Sequence, residues 1–196
     1  SAGITRFHID IMDGHFVPNL SFGPQLVSDF KREFPLIDAE IHLMSNNPKT
    51  LIPEFIKAGA DVIEIHYEAM DEENLNYWLD YISSNGVKVG LVLNLTTPVQ
   101  VIEKFSDQID QLLLMTVKPG FGGQSFISSS AEKIKEAKYI LKKADNKIPI
   151  EVDGGIDENT ARICKNAGAS IFVAGSYIFK KESISEQINK LNEVIK

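Results

Sequence analysis

Histidine, carboxylate and thioether side chains alternate along Phe7-His8-Ile9-Asp10-Ile11-Met12 before Asp13-Gly14 breaks the run. The β-branched and aromatic content marks a strand. A strand sends residues i, i+2 and i+4 to one face, so His8, Asp10 and Met12 point together while Ile9 and Ile11 pack behind them. An imidazole and a carboxylate on an inward strand face are costly to bury alone. They either bind a cation or join a buried polar network. Later strand-like runs end on similar side chains: His42 and Met44, His66 and Glu68, Asn94, Met115, Asp153 and Ser176. Brought to one mouth, His8, Asp10, His42 and Asp153 suit a divalent transition metal with positions left open for substrate. His66 taken alone reads as a hydrogen-bonded loop residue rather than a ligand.

The elements that must position these groups repeat along the chain. Strand-like runs fall near 7–13, 37–44, 62–68, 88–95, 112–117, 148–153 and 171–176. Helical patterns fall between and after them, near 24–34, 49–58, 72–84, 98–106, 129–143, 157–166 and 183–195. Strict alternation predicts βα units and a parallel sheet. Runs apolar on both faces, such as Val89 to Leu95, agree with helices covering that sheet. Ala58-Gly59-Ala60, Asn85-Gly86-Val87 and Ala167-Gly168-Ala169 place glycine where each helix ends. Ser1-Ala2-Gly3 repeats that joint, so the expectation is a (β/α)8 barrel lacking its first strand and most of its first helix, about 25 residues. No composition shift divides residues 1–196, and one domain is expected.

Glycine marks close backbone approach to a ligand. Gly120-Phe121-Gly122-Gly123, Gly154-Gly155 and Gly175-Ser176 follow three consecutive strands. Loops after late barrel strands that open onto helix N-termini cradle phosphate through backbone N–H groups. A chain of net charge −7 and pI about 5.1 can hold an anion in this way without a basic patch. The same charge argues against nucleic acid and anionic membrane as partners. The basic stretch from Lys133 to Lys147 carries interspersed acids and reads as a solvated helix face. One cysteine, Cys164, leaves no disulfide within the chain and suits a reducing, cytoplasmic compartment. Its place in a helical pattern reads as small and buried.

The sequence from Phe7 to about Phe179 resembles the ribulose-phosphate 3-epimerase family. His8-Ile9-Asp10-Ile11-Met12-Asp13-Gly14, His42-Leu43-Met44, Met115 through Gln124, Val152-Asp153-Gly154-Gly155-Ile156 and Ala174-Gly175-Ser176 carry the likeness, in the family's order. The resemblance implies a ribulose-phosphate-binding (β/α)8 barrel of the TIM type. It also implies exchange of D-ribulose 5-phosphate and D-xylulose 5-phosphate at C3 through a metal-stabilised enediolate. It implies one divalent ion (Zn, Fe(II), Mn or Co) on His8, Asp10, His42 and Asp153, with Asp10 and Asp153 as the acid–base pair. Phosphate and substrate would lie on His42, Gly120, Phe121, Gly122, Gly123, Gly154, Gly155, Gly175 and Ser176, and Met12, Met44 and Met115 would line the site. A homo-oligomer acting on a small sugar phosphate is implied as well. The family's first strand carries a serine near substrate, which this sequence does not supply. Leu95 and Lys118 depart from the family's pattern, and Lys118 would meet substrate or solvent.

Three other readings compete. A D-allulose-6-phosphate 3-epimerase would share the metal site and both aspartates, although the unbroken Gly122-Gly123 and Gly154-Gly155 favour the pentulose enzyme. A barrel of the orotidine-decarboxylase type needs lysine beside aspartate where this chain has His8. A catalytically inactive phosphate-binding barrel would not need the full set His8, Asp10, His42 and Asp153.

Overall fold

A computed structural model describes residues 3–196, which form two compact units. The first holds residues 3–92 and 108–110; the second holds 93–107 and 111–196. In the first unit, β1 (Arg6–Met12), α1 (Pro24–Glu33), β2 (Asp38–Met44), α2 (Pro48–Lys57), β3 (Val62–His66), α3 (Glu72–Ser84) and β4 (Lys88–Leu93) alternate, Leu93 counting with the second. The strands pair in parallel. The register sets His8 opposite Glu40, Asp10 opposite His42, and Met12 opposite Met44. It sets His42 opposite Glu64, and Glu64 opposite Gly90.

Local chemistry explains these boundaries. α1 and α2 each start on a proline, whose missing N–H has no partner to lose at that position. Asp71 caps α3 by accepting from the Asn74 N–H. Carboxylates also tie strand starts: Asp61 accepts from the Ala39 N–H at 2.7 Å and Asp110 from the Val89 N–H at 2.8 Å. The helix-end glycines Gly59, Gly86 and Gly168 have φ of +93°, +76° and +119°, the left-handed geometry that the sequence pattern predicts. Of the expected opening joint, Ser1 and Ala2 lie outside the described residues, and Gly3 has φ +77°. Ile41, Leu43, Ile63 and Ile65 are buried with Ile52, Phe55, Leu75 and Leu79 from the helices. Each such side chain contributes about 1.5–3 kcal/mol of hydrophobic stabilisation.

The second unit contains α4 (Ile102–Phe105), β5 (Gln111–Met115), α5 (Ser130–Lys143), β6 (Ile150–Asp153), α6 (Glu158–Ala167), β7 (Ile171–Val173), α7 (Ser176–Phe179) and α8 (Ile184–Ile195). β5, β6 and β7 pair in parallel, with Met115 opposite Asp153. Asp157 and Thr160 form a capping box at the start of α6. Several ends differ from the sequence reading: β4 stops at Leu93, short of Asn94, and β5 stops at Met115. The single helix expected over 98–106 is a 3-10 turn, Val99–Val101, leading into α4. β3 stops at His66, so Glu68 sits in a 3-10 turn. β7 stops at Val173, and Ser176 opens α7 instead of ending a strand. Among the described residues, no helix is long and apolar enough to cross a membrane.

Cys164 is fully buried on α6, as expected, and burial pushes its thiol up to about 12. At that value only about one part in 10,000 is thiolate at pH 8, and the thiolate is the reactive form. Native protein is therefore expected to resist a disulfide reagent such as dithionitrobenzoate and to release one equivalent after denaturation. Rapid native labelling would contradict the packing of α6.

Candidate active site

In the first unit the ends of β1 and β2 bring three donors together. His8 Nε2 lies 3.4 Å from Asp10 Oδ1 and 3.3 Å from His42 Nδ1, and His42 Nδ1 lies 3.0 Å from Asp10 Oδ1. The parallel register makes this possible, since Asp10 and His42 are partners and His8 is one inward position earlier. Ser21 joins the following loop to the strand, donating to the Asp10 carbonyl at 2.6 Å and accepting from the Met12 N–H at 2.9 Å. Asp13 organises the same loop, accepting from the N–H groups of His15, Phe16 and Asn46. Burial alone would raise the Asp13 carboxyl, but these backbone bonds hold it below its ordinary value. Met12, Met44 and Val17 form a buried apolar cluster with Phe16 against it.

His42 links this cluster to a third histidine. His42 Nε2 is 2.9 Å from His66 Nε2, and His66 Nδ1 is 3.1 Å from Glu68 Oε2. Asp10, His42, His66 and Glu68 thus make three contacts in line, with an acceptor-only carboxylate at each end. Burial pushes His42 down to about 4 and lowers His66. Burial would raise the Asp10 carboxyl, but His42 and His8 outweigh it and hold Asp10 well below the carboxylate range. His8 Nδ1 is 3.0 Å from Glu40 Oε1, and an acceptor-only carboxylate takes a hydrogen bond from it. One side-chain atom from each of His8, Asp10 and His42 lies within 4.8 Å of the others. Two imidazoles and a carboxylate converging in this way fit a divalent cation.

His66 is fully buried and packs its ring 4.7 Å from Phe16 and 5.0 Å from His42. Its ring nitrogens contact His42 and Glu68, but it ends β3 and is not the loop residue that the sequence suggests. Glu40 and Glu64, fully buried on the inward faces of β2 and β3, were not singled out by sequence reasoning. A signal was present. Glu40 precedes His42 by two, and Glu64 precedes His66 by two, so alternation alone puts each on its histidine's face.

In the second unit Asp153 is half-buried at the carboxyl end of β6. Thr116 Oγ donates to the Asp153 carbonyl at 2.8 Å and the Gly154 carbonyl at 2.6 Å, which fixes the main chain there. Gly155 has φ +65°, and a Cβ on it would stand 2.5 Å from the Phe126 nitrogen. On Gly154 a Cβ would stand 2.4 Å from Val117 Cγ2. The loop that carries Gly120 to Gly123 is tied by Gln124 Nε2, which donates to the Lys118 and Phe121 carbonyls at 2.6 and 2.7 Å. Lys118 itself is exposed. Gly122 and Gly175 face open space, so packing does not require glycine at either. The Lys180 ammonium lies against Gly123, 3.1 Å from where a Cβ would stand, a cation that glycine counting overlooks. Lys133 is not simply solvated: its ammonium donates to the Asn94 carbonyl and, at 3.2 Å, to the Leu95 carbonyl.

Residues 1–179 match the model of the ribulose-phosphate 3 epimerase family. A ribulose-phosphate 3-epimerase of Bacillus subtilis is 47% identical over 189 residues, covering 94% of this chain and 86% of the relative. That of Escherichia coli K12 is 38% identical over 191 residues, covering 97% and 84%. The chloroplast ribulose-5-phosphate-3-epimerase of Arabidopsis thaliana is 42% identical over 187 residues, covering 95% and 66%. Among solved structures, 3-keto-L-gulonate-6-phosphate decarboxylase of Vibrio cholerae aligns with TM-score 0.72 at 14% identity, covering 98% of this chain and 96% of the other. A 3-hexulose-6-phosphate synthase aligns with TM-score 0.69 at 15% identity, covering 96% and 99%. These two likenesses show the fold, the (β/α) barrel class expected from the alternating strands and helices.

Proposed function

The chain belongs to the ribulose-phosphate 3-epimerase family of isomerases, and from that premise we propose that it interconverts D-ribulose 5-phosphate and D-xylulose 5-phosphate at C3. The observation that carries the reading is the convergence of His8, Asp10 and His42, whose ring nitrogens and carboxylate oxygen lie 3.0–3.4 Å apart. Asp153 completes the donor set in this proposal. A bound divalent ion supplies electrostatic stabilisation for negative charge that develops on the substrate's oxygens. Its identity among Zn, Fe(II), Mn and Co is a matter for metal analysis.

The chemistry asked of the chain is removal of a proton from the carbon beside a ketone and return of one to the opposite face. Asp10 and Asp153 take these roles, one accepting while the other donates. Asp10 is ionised in these surroundings, as a proton-accepting carboxylate must be. Met12, Met44 and Met115 give the reacting carbons a polarisable wall poor in water. Backbone N–H groups of Gly120, Phe121, Gly122, Gly123, Gly154, Gly155, Gly175 and Ser176 hold the phosphate, with His42 beside the sugar and Lys180 adding a charge at Gly123. One domain, a cytoplasmic location and a homo-oligomeric assembly belong to the same reading.

The test is turnover of D-ribulose 5-phosphate against D-allulose 6-phosphate, with metal analysis of protein purified without added metal. The expected result is preference for the pentulose, about one equivalent of a divalent metal, and loss of activity on chelation that metal restores. Preference for the hexulose, or full activity in metal-free protein, would overturn the proposal.

A further inference from the structure

We propose that Glu40 is a positioning residue for His8: its carboxylate, clamped by Arg6, locks His8 in the Nδ1–H tautomer and thereby sets the protein's affinity for a divalent metal ion. The inference rests on the metal-site reading above and extends it to residues outside the donor set.

The two oxygens of Glu40 have separate partners. Oε1 lies 3.0 Å from His8 Nδ1, and Oε2 accepts from Arg6 Nη1 at 2.7 Å. Glu40 has no solvent exposure, while the Arg6 side chain is one-quarter exposed. A fully buried carboxylate needs compensation of this kind, since desolvating it costs several kcal/mol. Parallel pairing of Arg6 with Asp38 and of His8 with Glu40 places the three side chains in a row across two strands. Glu64 reinforces the arrangement from β3, its Oε2 lying 3.7 Å from His8 Nδ1. Room for Glu64 comes from Gly90, where a Cβ would stand 2.6 Å from Glu64 Cγ. Carboxylates therefore stand on the Nδ1 side of the His8 ring, and Asp10 and His42 stand on the Nε2 side. An acceptor behind the ring fixes the tautomer and makes the opposite nitrogen a stronger donor to a cation. A glutamine in the same place could donate as readily as accept, so the His8 tautomer would no longer be imposed.

The experiment compares zinc affinity, by competition with a chromophoric chelator, in the wild type, Glu40→Gln and Glu40→Asp. The aspartate variant keeps the charge but is one methylene short of spanning Arg6 and His8. Both are expected to bind zinc roughly 10–100-fold more weakly, with metal-free circular dichroism unchanged. An affinity within about threefold of the wild type in either folded variant would overturn the proposal. The wild type provides a second measurement that does not depend on variant folding. Nitrogen-15 spectra of the zinc-loaded protein should show His8 protonated at Nδ1, and a proton on Nε2 would overturn the proposal by itself. If the wild type binds no zinc, the metal-site reading fails and this inference fails with it. If the wild type binds and the variants bind equally, only this inference fails.

Discussion

Asp10→Asn is expected to lower kcat/KM by about 10³-fold or more and to lower the stability of the metal-free protein near neutral pH. The loss follows from the proposed role, because an amide neither accepts a proton from carbon nor returns one. It also removes one negative donor from the set formed with His8 and His42. The stability expectation comes from the Asp10 carboxylate, whose burial cost is outweighed by His42 and His8 at 3.0 and 3.4 Å, which hold it well below the carboxylate range. A carboxyl with a lowered folded-state pKa stabilises the fold above its unfolded pKa, and the contribution disappears as pH falls. Thermal unfolding of metal-free protein near neutral pH should therefore show a lower Tm for the variant, and added zinc should raise it less than in the wild type. Asp153→Asn is expected to lose activity to a similar degree. Near-normal turnover by either variant would rule out the two-carboxylate scheme. An unchanged metal-free Tm of Asp10→Asn would show that His42 and His8 do not stabilise the Asp10 carboxylate.

Gly155→Ala is expected to cost about 3 kcal/mol or more and to raise KM for the sugar phosphate at least tenfold in whatever protein folds. Two effects add. The residue has φ +65°, where a Cβ is unfavourable, and that Cβ would lie 2.5 Å from the Phe126 nitrogen and 2.9 Å from its Cα. Backbone cannot step aside as a flexible side chain can, so the segment around Gln124 and Phe126 must move. That segment continues from the loop holding Gly120 to Gly123, and the displacement reaches the proposed phosphate site. Gly122→Ala is the matched control. Its φ is unexceptional and nothing stands within 4 Å of the added carbon, so stability should change by less than about 0.5 kcal/mol. Urea unfolding and steady-state kinetics on both variants provide the check. Equal stability of Gly155→Ala and Gly122→Ala would contradict the close packing at Gly155.

The element order was legible because strand and helix leave different periods in sequence and glycine ends the helices. Boundaries failed where one polar residue looked like a strand end. Glu68 and Ser176 both belong to helical turns, because β3 and β7 terminate earlier than the apolar runs suggested. The glycine runs were legible as a group, yet only the structure separates those that steric contact demands, Gly154 and Gly155, from those in open space, Gly122 and Gly175.

Residue alternation by itself determined that His8 and Asp10 share a face, and the same rule applies to Glu40 with His42 and Glu64 with His66. Period two assigns a side chain to a face, but it does not say which residue of the next strand stands opposite. Only strand register decided that Asp10 meets His42, that His8 meets Glu40, and that His66 stands behind His42. Those neighbours settle the chemistry, because a carboxylate that only accepts dictates which ring nitrogen keeps its proton. In the proposed metal site a histidine becomes a donor through the acceptor behind it, and that acceptor comes from another strand.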